Sequence, residues 1–203
     1  MIELSKNDGI WVATINRPDK ANSLTLEMLS ELTQIAKDAK AADAFILTGN
    51  GKVFSAGADL EEARAGLAVS PIWEELSGAI AALPCMSIAA LNGTLAGGAM
   101  GMALACDIRL AVPSAKFFYP VMKLGFLPQP SDPARMRALI GPARTKLVLM
   151  GGQKILTDEA LSFGLIDRIC DLESLLPSAY DIAQDSVAAK PDLRAQIKAL
   201  CSD

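Results

Sequence analysis

The 203-residue sequence is 51% hydrophobic and 21% charged, which suits one domain with a well-buried core and is short for two. Nineteen basic and 23 acidic residues give a net charge of -4 with no basic face or basic-aromatic cluster, so nucleic acid is not an expected partner. The absence of histidine excludes a serine-histidine-aspartate triad and most zinc sites, so any acid or base must be Asp, Glu, Lys, Tyr or Cys.

Cysteine usage and the N-terminal pattern predict a cytoplasmic protein. The N-terminal residues read directly as a strand and lack the charged and apolar regions of a signal peptide. The apolar run over 87–106 is not predicted to span a membrane, because Asn92 interrupts it and Asp107 and Arg109 close it. Four widely spaced cysteines are predicted to be reduced, buried thiols: Cys85, Cys106, Cys170 and Cys201.

Strand and helix patterns alternate along the first half of the chain. Asp8-Gly9 predicts a hairpin between the first two strands, and Asn50-Gly51 predicts a second hairpin turn. The predicted elements are strands at 2–4 and 10–15, a helix over 25–41, strands at 44–48 and 53–54, helices over 60–65 and 71–82, and a strand at 86–91.

The second half begins with an unusually apolar helix. The residues from Gly97 to Cys106 are apolar on all sides, which predicts a central, buried helix. The repeated strand-strand-helix units predict an α/β domain. Further elements are predicted as strands at 108–112 and 116–119, helices over 133–140, 142–150 and 157–163, a strand at 165–169 and a helix from 172 onward.

Two loops rich in glycine and alanine stand where a predicted strand gives way to a predicted helix. They are Ser55 to Leu60 and Asn92 to Ala99. Their small side chains would let a ligand approach the main-chain N–H groups. If the loops meet in space, those groups could hold an anionic oxygen. The alternative is that both are tight turns that pack a helix against a sheet.

Together with other segments, these loops resemble the crotonase superfamily over essentially the whole chain. The resemblance implies an α/β spiral of repeated strand-strand-helix units with a shortened C-terminal helical region. It divides the chain into a core domain at 1–190 and a short helical remnant at 191–203. The segments that carry it are Asn16-Arg17-Pro18, Ala21-Asn22-Ser23-Leu24, Phe54 to Leu60, Asn92 to Arg109 and Ala160 to Asp167.

The resemblance also implies a ligand and a set of contacts. Members of this superfamily bind an acyl-CoA and stabilise the anion formed at the thioester oxygen, here implied between the N–H groups of Ala58 and Gly98. No cofactor is implied beyond the CoA of the substrate, and a homotrimer or dimer of trimers is expected, although the short C-terminal region weakens that expectation. Contacts with CoA are implied at Lys20, Ala21, Leu24, Ala56, Asp59 and Leu60. Two of these residues have an alternative role: Lys20 could be a solvated charge, and Asp59 could be a helix cap.

Three positions depart from the superfamily pattern. Gly101 and Val121 stand where the hydratases place glutamates, and Gln129 stands where some isomerases and a dehalogenase place a carboxylate. Because positioned acid-base groups contribute about 10²–10⁴-fold to rate, hydration of an enoyl-CoA is expected to be impaired.

Asp132 is the candidate acid or base that remains, with helix capping as its alternative role. Tyr119 and Lys123 are weaker candidates, Glu61 and Glu62 are expected to be solvated, and Cys106 is expected to be inert packing. Two functions are therefore predicted. One is an acyl-CoA isomerase, thioester hydrolase or decarboxylase, and the other is an inactive protein that binds CoA thioesters.

Overall fold

The computed structural model describes residues 1–201. The strands are β1 (Ile2–Asn7), β2 (Ile10–Ile15), β3 (Ala44–Gly49), β4 (Val53–Ser55), β5 (Met86–Leu91), β6 (Thr94–Ala96), β7 (Ile108–Ala111), β8 (Lys116–Phe118), β9 (Ile155–Leu156) and β10 (Arg168–Ile169). The α-helices are α1 (Leu26–Asp38), α2 (Leu60–Arg64), α3 (Ile72–Ala81), α4 (Met100–Leu104), α5 (Val121–Leu124), α6 (Asp132–Leu149), α7 (Thr157–Phe163), α8 (Leu172–Ala188) and α9 (Pro191–Leu200).

Two sheets organise the α/β fold that the sequence predicts. The larger sheet has the order β1-β2-β3-β5-β7-β10, and all of its pairs are parallel except the β1-β2 hairpin. Strands β3 and β5 lie at its centre and are apolar and buried on both faces, as is typical of parallel sheets covered by helices. The smaller sheet has the order β4-β6-β8-β9, with the first three strands parallel.

The predicted central helix is confirmed. A 3-10 turn at Gly97–Ala99 leads into α4, whose five residues are all buried. The predicted break between two later helices is also confirmed, because Gly141 adopts φ 76° inside α6 and Pro142 follows it.

The predicted hairpin at Asn50-Gly51 is wrong, because β3 and β4 belong to different sheets. The side-chain amide of Asn22 donates to the carbonyl of Asn50 at 2.8 Å, and that of Asn92 donates to the carbonyl of Gly51 at 2.9 Å. These amides come from distant parts of the chain and direct β4 away from β3 into the second sheet.

Other differences are small. The short elements β6, β9 and α5 are not predicted from the sequence, and the strand predicted at 165–169 is reduced to β10. All four cysteines are free thiols; Cys85 and Cys106 are buried as predicted, Cys170 is half-buried and Cys201 is exposed.

Helix α9 is held by hydrogen bonds and ion pairs to residues that directly precede strands of the larger sheet. Nζ of Lys198 donates to the carbonyl of Cys85 at 2.9 Å and to Asp107 at 2.7 Å, and Arg194 forms an ion pair with Asp43. The division into 1–190 and 191–203 stays a prediction, and its last two residues lie outside the described part of the chain. Within residues 1–201, every helix is too short or too polar to cross a membrane.

Candidate active site

The two glycine-rich loops lie against each other. Strands β4 and β6 pair in parallel, with Ser55 beside Leu95, so both loops leave the same edge of the smaller sheet. Gly57 has φ 92°, and a Cβ added there would lie 3.0 Å from the carbonyl oxygen of Ala96 and 3.6 Å from the nitrogen of Gly98. Only glycine permits both this backbone conformation and this close approach.

The backbone around Ala58 is fixed by a bridge to Leu24. The N–H of Leu24 donates to the carbonyl of Gly57 at 2.8 Å, and the N–H of Asp59 donates to the carbonyl of Leu24 at 2.8 Å. In a parallel bridge of this kind the N–H of Ala58 itself takes no part and points to the other side. Gly98 lies in the first turn of the 3-10 helix that precedes α4, where N–H groups lack partners within the helix.

Ala58 and Gly98 border one cavity of about 440 Å³. One wall is the indole of Trp73, which is 4% exposed and donates from Nε1 to the carbonyl of Leu67 at 2.8 Å. A Cβ added to Gly98 would lie 3.1–3.2 Å from three atoms of the Trp73 ring. The indole thus packs directly on the backbone of Gly98.

A second groove of about 590 Å³ adjoins this cavity and shares with it Ala56, Ala58, Leu60 and Arg64. Of the residues implied to contact CoA, the groove is lined by Lys20, Ala56, Asp59 and Leu60.

The other two residues implied to contact CoA are outside the lining of the groove. The side chain of Leu24 is wholly buried in the core. Leu24 could therefore affect a ligand only indirectly, through its backbone bridge to Ala58. Ala21 has φ 51°, and its carbonyl accepts a hydrogen bond from the N–H of Ala56 at 3.0 Å. Ala21 therefore holds the backbone of the first loop in place.

Asp59 has the hydrogen bonds of a helix cap. Its Oδ1 accepts from the N–H of Glu61 at 3.1 Å, and its Oδ2 forms an ion pair of 2.8 Å with Arg17. The Arg17 guanidinium holds the pKa of Asp59 below its usual value. Glu62 accepts from the N–H of Leu26 at 2.7 Å, so it stabilises the start of α1.

The carboxylate of Asp132 lies against Gly101. A Cβ added to Gly101 would be 2.7 Å from Oδ1 and 3.1 Å from Oδ2 of Asp132. A carboxylate from α6 therefore approaches the space in which the resemblance would place a glutamate side chain from α4.

Asp132 is joined to Tyr119 at the wall of the cavity. The Tyr119 hydroxyl donates to Oδ2 of Asp132 at 3.0 Å and accepts from the N–H of Gln129 at 3.4 Å. Tyr119 lines the cavity, whereas Asp132 is wholly buried behind it. Burial raises the pKa of Asp132 to about 7, and burial beside Asp132 raises the pKa of Tyr119 well above its usual value.

Asp132 also retains an unused acceptor. Among residues 1–201, the buried side-chain polar atoms without a hydrogen-bond partner are Oδ1 of Asp132 and Nη1 of Arg135. Asp132 is the first residue of α6, and its carboxylate bonds Tyr119, while Glu74 accepts from the N–H and hydroxyl of Ser131 at the start of this helix. The carboxylate of Asp132 therefore does not cap α6, and Ser131 at the N-cap position makes no side-chain capping hydrogen bond.

The remaining candidate residues have different surroundings from this buried pair. Lys123 and Glu61 are exposed. Cys106 donates its thiol to the carbonyl of Met102 at 3.4 Å, and burial raises its pKa to about 12, as expected of an inert packing residue. Gln129 is 7% exposed, and its amide donates to the carbonyl of Ala68 at 3.4 Å.

Comparison with known proteins gives consistent matches over nearly the whole chain. The family model described as Enoyl-CoA hydratase/isomerase matches residues 5–202. A crotonyl-CoA hydratase of Syntrophomonas wolfei is 34% identical over 191 residues, which are 90% of this chain and 74% of that protein. A short-chain-enoyl-CoA hydratase of Clostridium acetobutylicum is 33% identical over 198 residues, which are 93% and 76%. The crystal structure of an enoyl-CoA hydratase from Bacillus anthracis superimposes with a TM-score of 0.91 at 31% identity, over 100% of this chain and 82% of that one.

Proposed function

The chain belongs to the enoyl-CoA hydratase/isomerase family, and from that premise we propose that it moves a double bond in an acyl-CoA thioester by way of an enolate. The observation that carries this proposal is the Tyr119–Asp132 pair beside a cavity bordered by Ala58 and Gly98. Isomerisation needs one group that takes a proton and returns it. Hydration needs groups that activate water, and the positions of the hydratase glutamates hold Gly101 and Val121.

The negative charge of the enolate would be held by the main-chain N–H groups of Ala58 and Gly98. Two donors aimed at a developing oxyanion in a site that excludes water stabilise it strongly, and loss of one such donor typically costs about 2.7–4 kcal/mol of barrier. The contact between Gly57 and the second loop fixes the two donors relative to each other before the substrate arrives.

The proton would pass through Tyr119 to Asp132. As the proton leaves the α-carbon for the Tyr119 oxygen, the hydroxyl proton moves to Oδ2 of Asp132, and the electron pair of the broken C–H bond enters the enolate. The reverse transfer delivers a proton to the γ-carbon and moves the double bond from the β,γ to the α,β position. Asp132 must begin this cycle as a carboxylate, and its pKa of about 7 allows that at neutral pH.

The CoA moiety would occupy the groove beside the first loop. Lys20 lies on its border with an exposed side chain and could pair with a phosphate. Ala56 and Leu60 present small or apolar surface to the rest of the ligand. No cofactor beyond CoA enters the proposal.

We also propose a homotrimer or dimer of trimers in the cytoplasm. Helix α9 exposes apolar side chains at Leu193, Ile197 and Leu200, which a neighbouring subunit would cover. Light scattering of the purified protein tests this assembly, and a monomer at all concentrations would contradict it.

A protein that only binds CoA thioesters is the second candidate. The complete burial of Asp132 favours it, because a carboxylate behind the cavity wall reaches a substrate only through Tyr119. This candidate predicts binding without turnover.

The two candidates separate in one experiment. The protein is incubated with a β,γ-enoyl-CoA in deuterated buffer, and mass spectrometry follows both the α,β-isomer and deuterium uptake. Isomer formation that is lost in Gly98→Val supports the enzyme, and the extent of deuterium uptake reports how far the relayed proton exchanges with solvent. Binding with neither isomer nor uptake supports the binding protein, and turnover that survives Gly98→Val contradicts the proposed oxyanion site.

A further inference from the structure

Aromatic side chains are concentrated around the cavity. The chain is only 5% aromatic, with two Trp, two Tyr and six Phe. Four of these residues line this one cavity: Trp73, Phe118, Tyr119 and Phe126.

Two of the four rings are held in place by hydrogen bonds. The Trp73 indole is tied to Leu67 through Nε1 and packs on Gly98, beside the proposed position of the thioester oxygen. Tyr119 is tied to Asp132 and is 4% exposed. A ligand therefore meets two rings whose orientations are fixed before it binds.

The other two rings border the cavity with more freedom. Phe118 is half-buried, with Nζ of Lys154 at 4.9 Å from its ring centroid, and Phe126 is 40% exposed. Both lie on the segment that runs from β8 past α5, as Tyr119 does. Aromatic rings thus come from α3 and from this separate segment.

The small number of charged side chains in the cavity lining indicates what kind of acyl group fits there. Among the described residues that line the cavity, the charged side chain is Arg64, which the adjoining groove shares. The rest of the lining is apolar apart from the Tyr119 hydroxyl and backbone groups, so the acyl end of a ligand meets mainly rings and aliphatic side chains. A volume of about 440 Å³ is ordinary for a small-molecule site.

We propose that the acyl group of the ligand carries a flat aryl ring, which packs among these aromatic side chains. This inference rests on the proposed function, because it assigns the acyl end of the same CoA thioester. Rings gain affinity from offset-stacked and edge-to-face contacts beyond the burial of their area, which a saturated group of equal carbon number lacks.

Binding of three probes to the purified protein tests the proposal by isothermal titration calorimetry. The probes are phenylpropanoyl-CoA, cyclohexylpropanoyl-CoA with the same number of carbons, and free CoA. The phenyl thioester is expected to bind about 10-fold more tightly than the cyclohexyl thioester, the gain from one or two aromatic contacts. Equal affinities for the two thioesters, both above that for free CoA, overturn the aryl inference and leave the proposed function standing. Thioesters that bind no better than free CoA overturn both.

Substitution of Trp73 assigns the preference to its ring. Trp73→Leu is expected to remove most of the phenyl preference and leave the affinity for free CoA unchanged. Trp11→Leu is the matched control, because Trp11 lies on β2 outside the cavity lining, with Nζ of Lys6 over its ring at 3.4 Å. If Trp73→Leu does not fold, Phe126→Leu serves instead, since that ring is partly exposed. A phenyl preference that is retained in folded Trp73→Leu, or in Phe126→Leu where that variant is used, contradicts the proposal.

Discussion

The Tyr119 hydroxyl and Oδ2 of Asp132 are 3.0 Å apart, and no more than 4% of either residue is exposed. Burial raises the pKa of Asp132 from 3.8 to about 7, so between these values the folded protein holds a proton that the unfolded chain releases. The stability that this proton contributes is fully present below about pH 4 and is lost as the pH rises through about 7.

Asp132→Asn is therefore expected to make the protein more stable near neutrality and above, and less sensitive to pH. The gain is at most about 4 kcal/mol above about pH 7 and falls to nothing below about pH 4. Urea unfolding at several pH values measures it. Asp59→Asn is the control with the opposite sign, because the pKa of Asp59 is lowered by Arg17 and its contribution is lost as the pH falls. A gain for Asp132→Asn that is the same at every pH would contradict the assignment.

Tyr119→Phe is expected to lower isomerisation by about 10²–10³-fold with little effect on the affinity for the thioester, because it removes the hydroxyl that relays the proton and keeps the ring. In the unaltered protein, kcat/KM should rise with pH through about 7 as Asp132 ionises. Steady-state kinetics over this range measures both effects. A rate that is independent of pH, or unchanged in Tyr119→Phe, would remove this pair from the mechanism.

Gly98→Ala is expected to reduce turnover and Gly98→Val to abolish it. The first added carbon would lie 3.1–3.2 Å from the Trp73 ring, so either the indole or the peptide that carries the N–H must move. Gly78→Ala is the matched control, since Gly78 lies in α3 with nothing within 4 Å of an added Cβ. Turnover and affinity for free CoA are measured for each variant. Equal loss in Gly78→Ala would mean that the effect at Gly98 is one of general stability.

The sequence alone predicts those turns and helices of the fold that depend on residues close together in the chain. The loop from Ser55 to Leu60 and the turn into α4 can be predicted because small residues between a strand pattern and a helix pattern are typical of tight turns and of close approach to the backbone. The hairpin predicted at Asn50-Gly51 failed because the amides of Asn22 and Asn92 bind that turn, and no local pattern reveals such contacts.

The contact between Tyr119 and Asp132 in the candidate site likewise cannot be predicted from the local sequence. Both residues were candidates, but their meeting depends on how α6 packs against α4 and β8. Gly101, at a position where the resemblance implies a glutamate, is the sequence signal that a carboxylate from elsewhere in the chain takes its place. Only the tertiary structure identifies Asp132 as the group that lies there.

The contact between Gly101 and Asp132 predicts a strong coupling between these positions. Gly101→Ala alone is expected to destabilise the protein by about 1–3 kcal/mol, because its methyl group would lie 2.7 Å from Oδ1 of Asp132. In an Asp132→Ser background the shorter side chain leaves room, and the same substitution should then be neutral or stabilising, since alanine favours a helix. Unfolding free energies of the four proteins give the coupling, expected at about 0.5–3 kcal/mol. Additive effects would show that the carboxylate of Asp132 does not occupy the space beside Gly101.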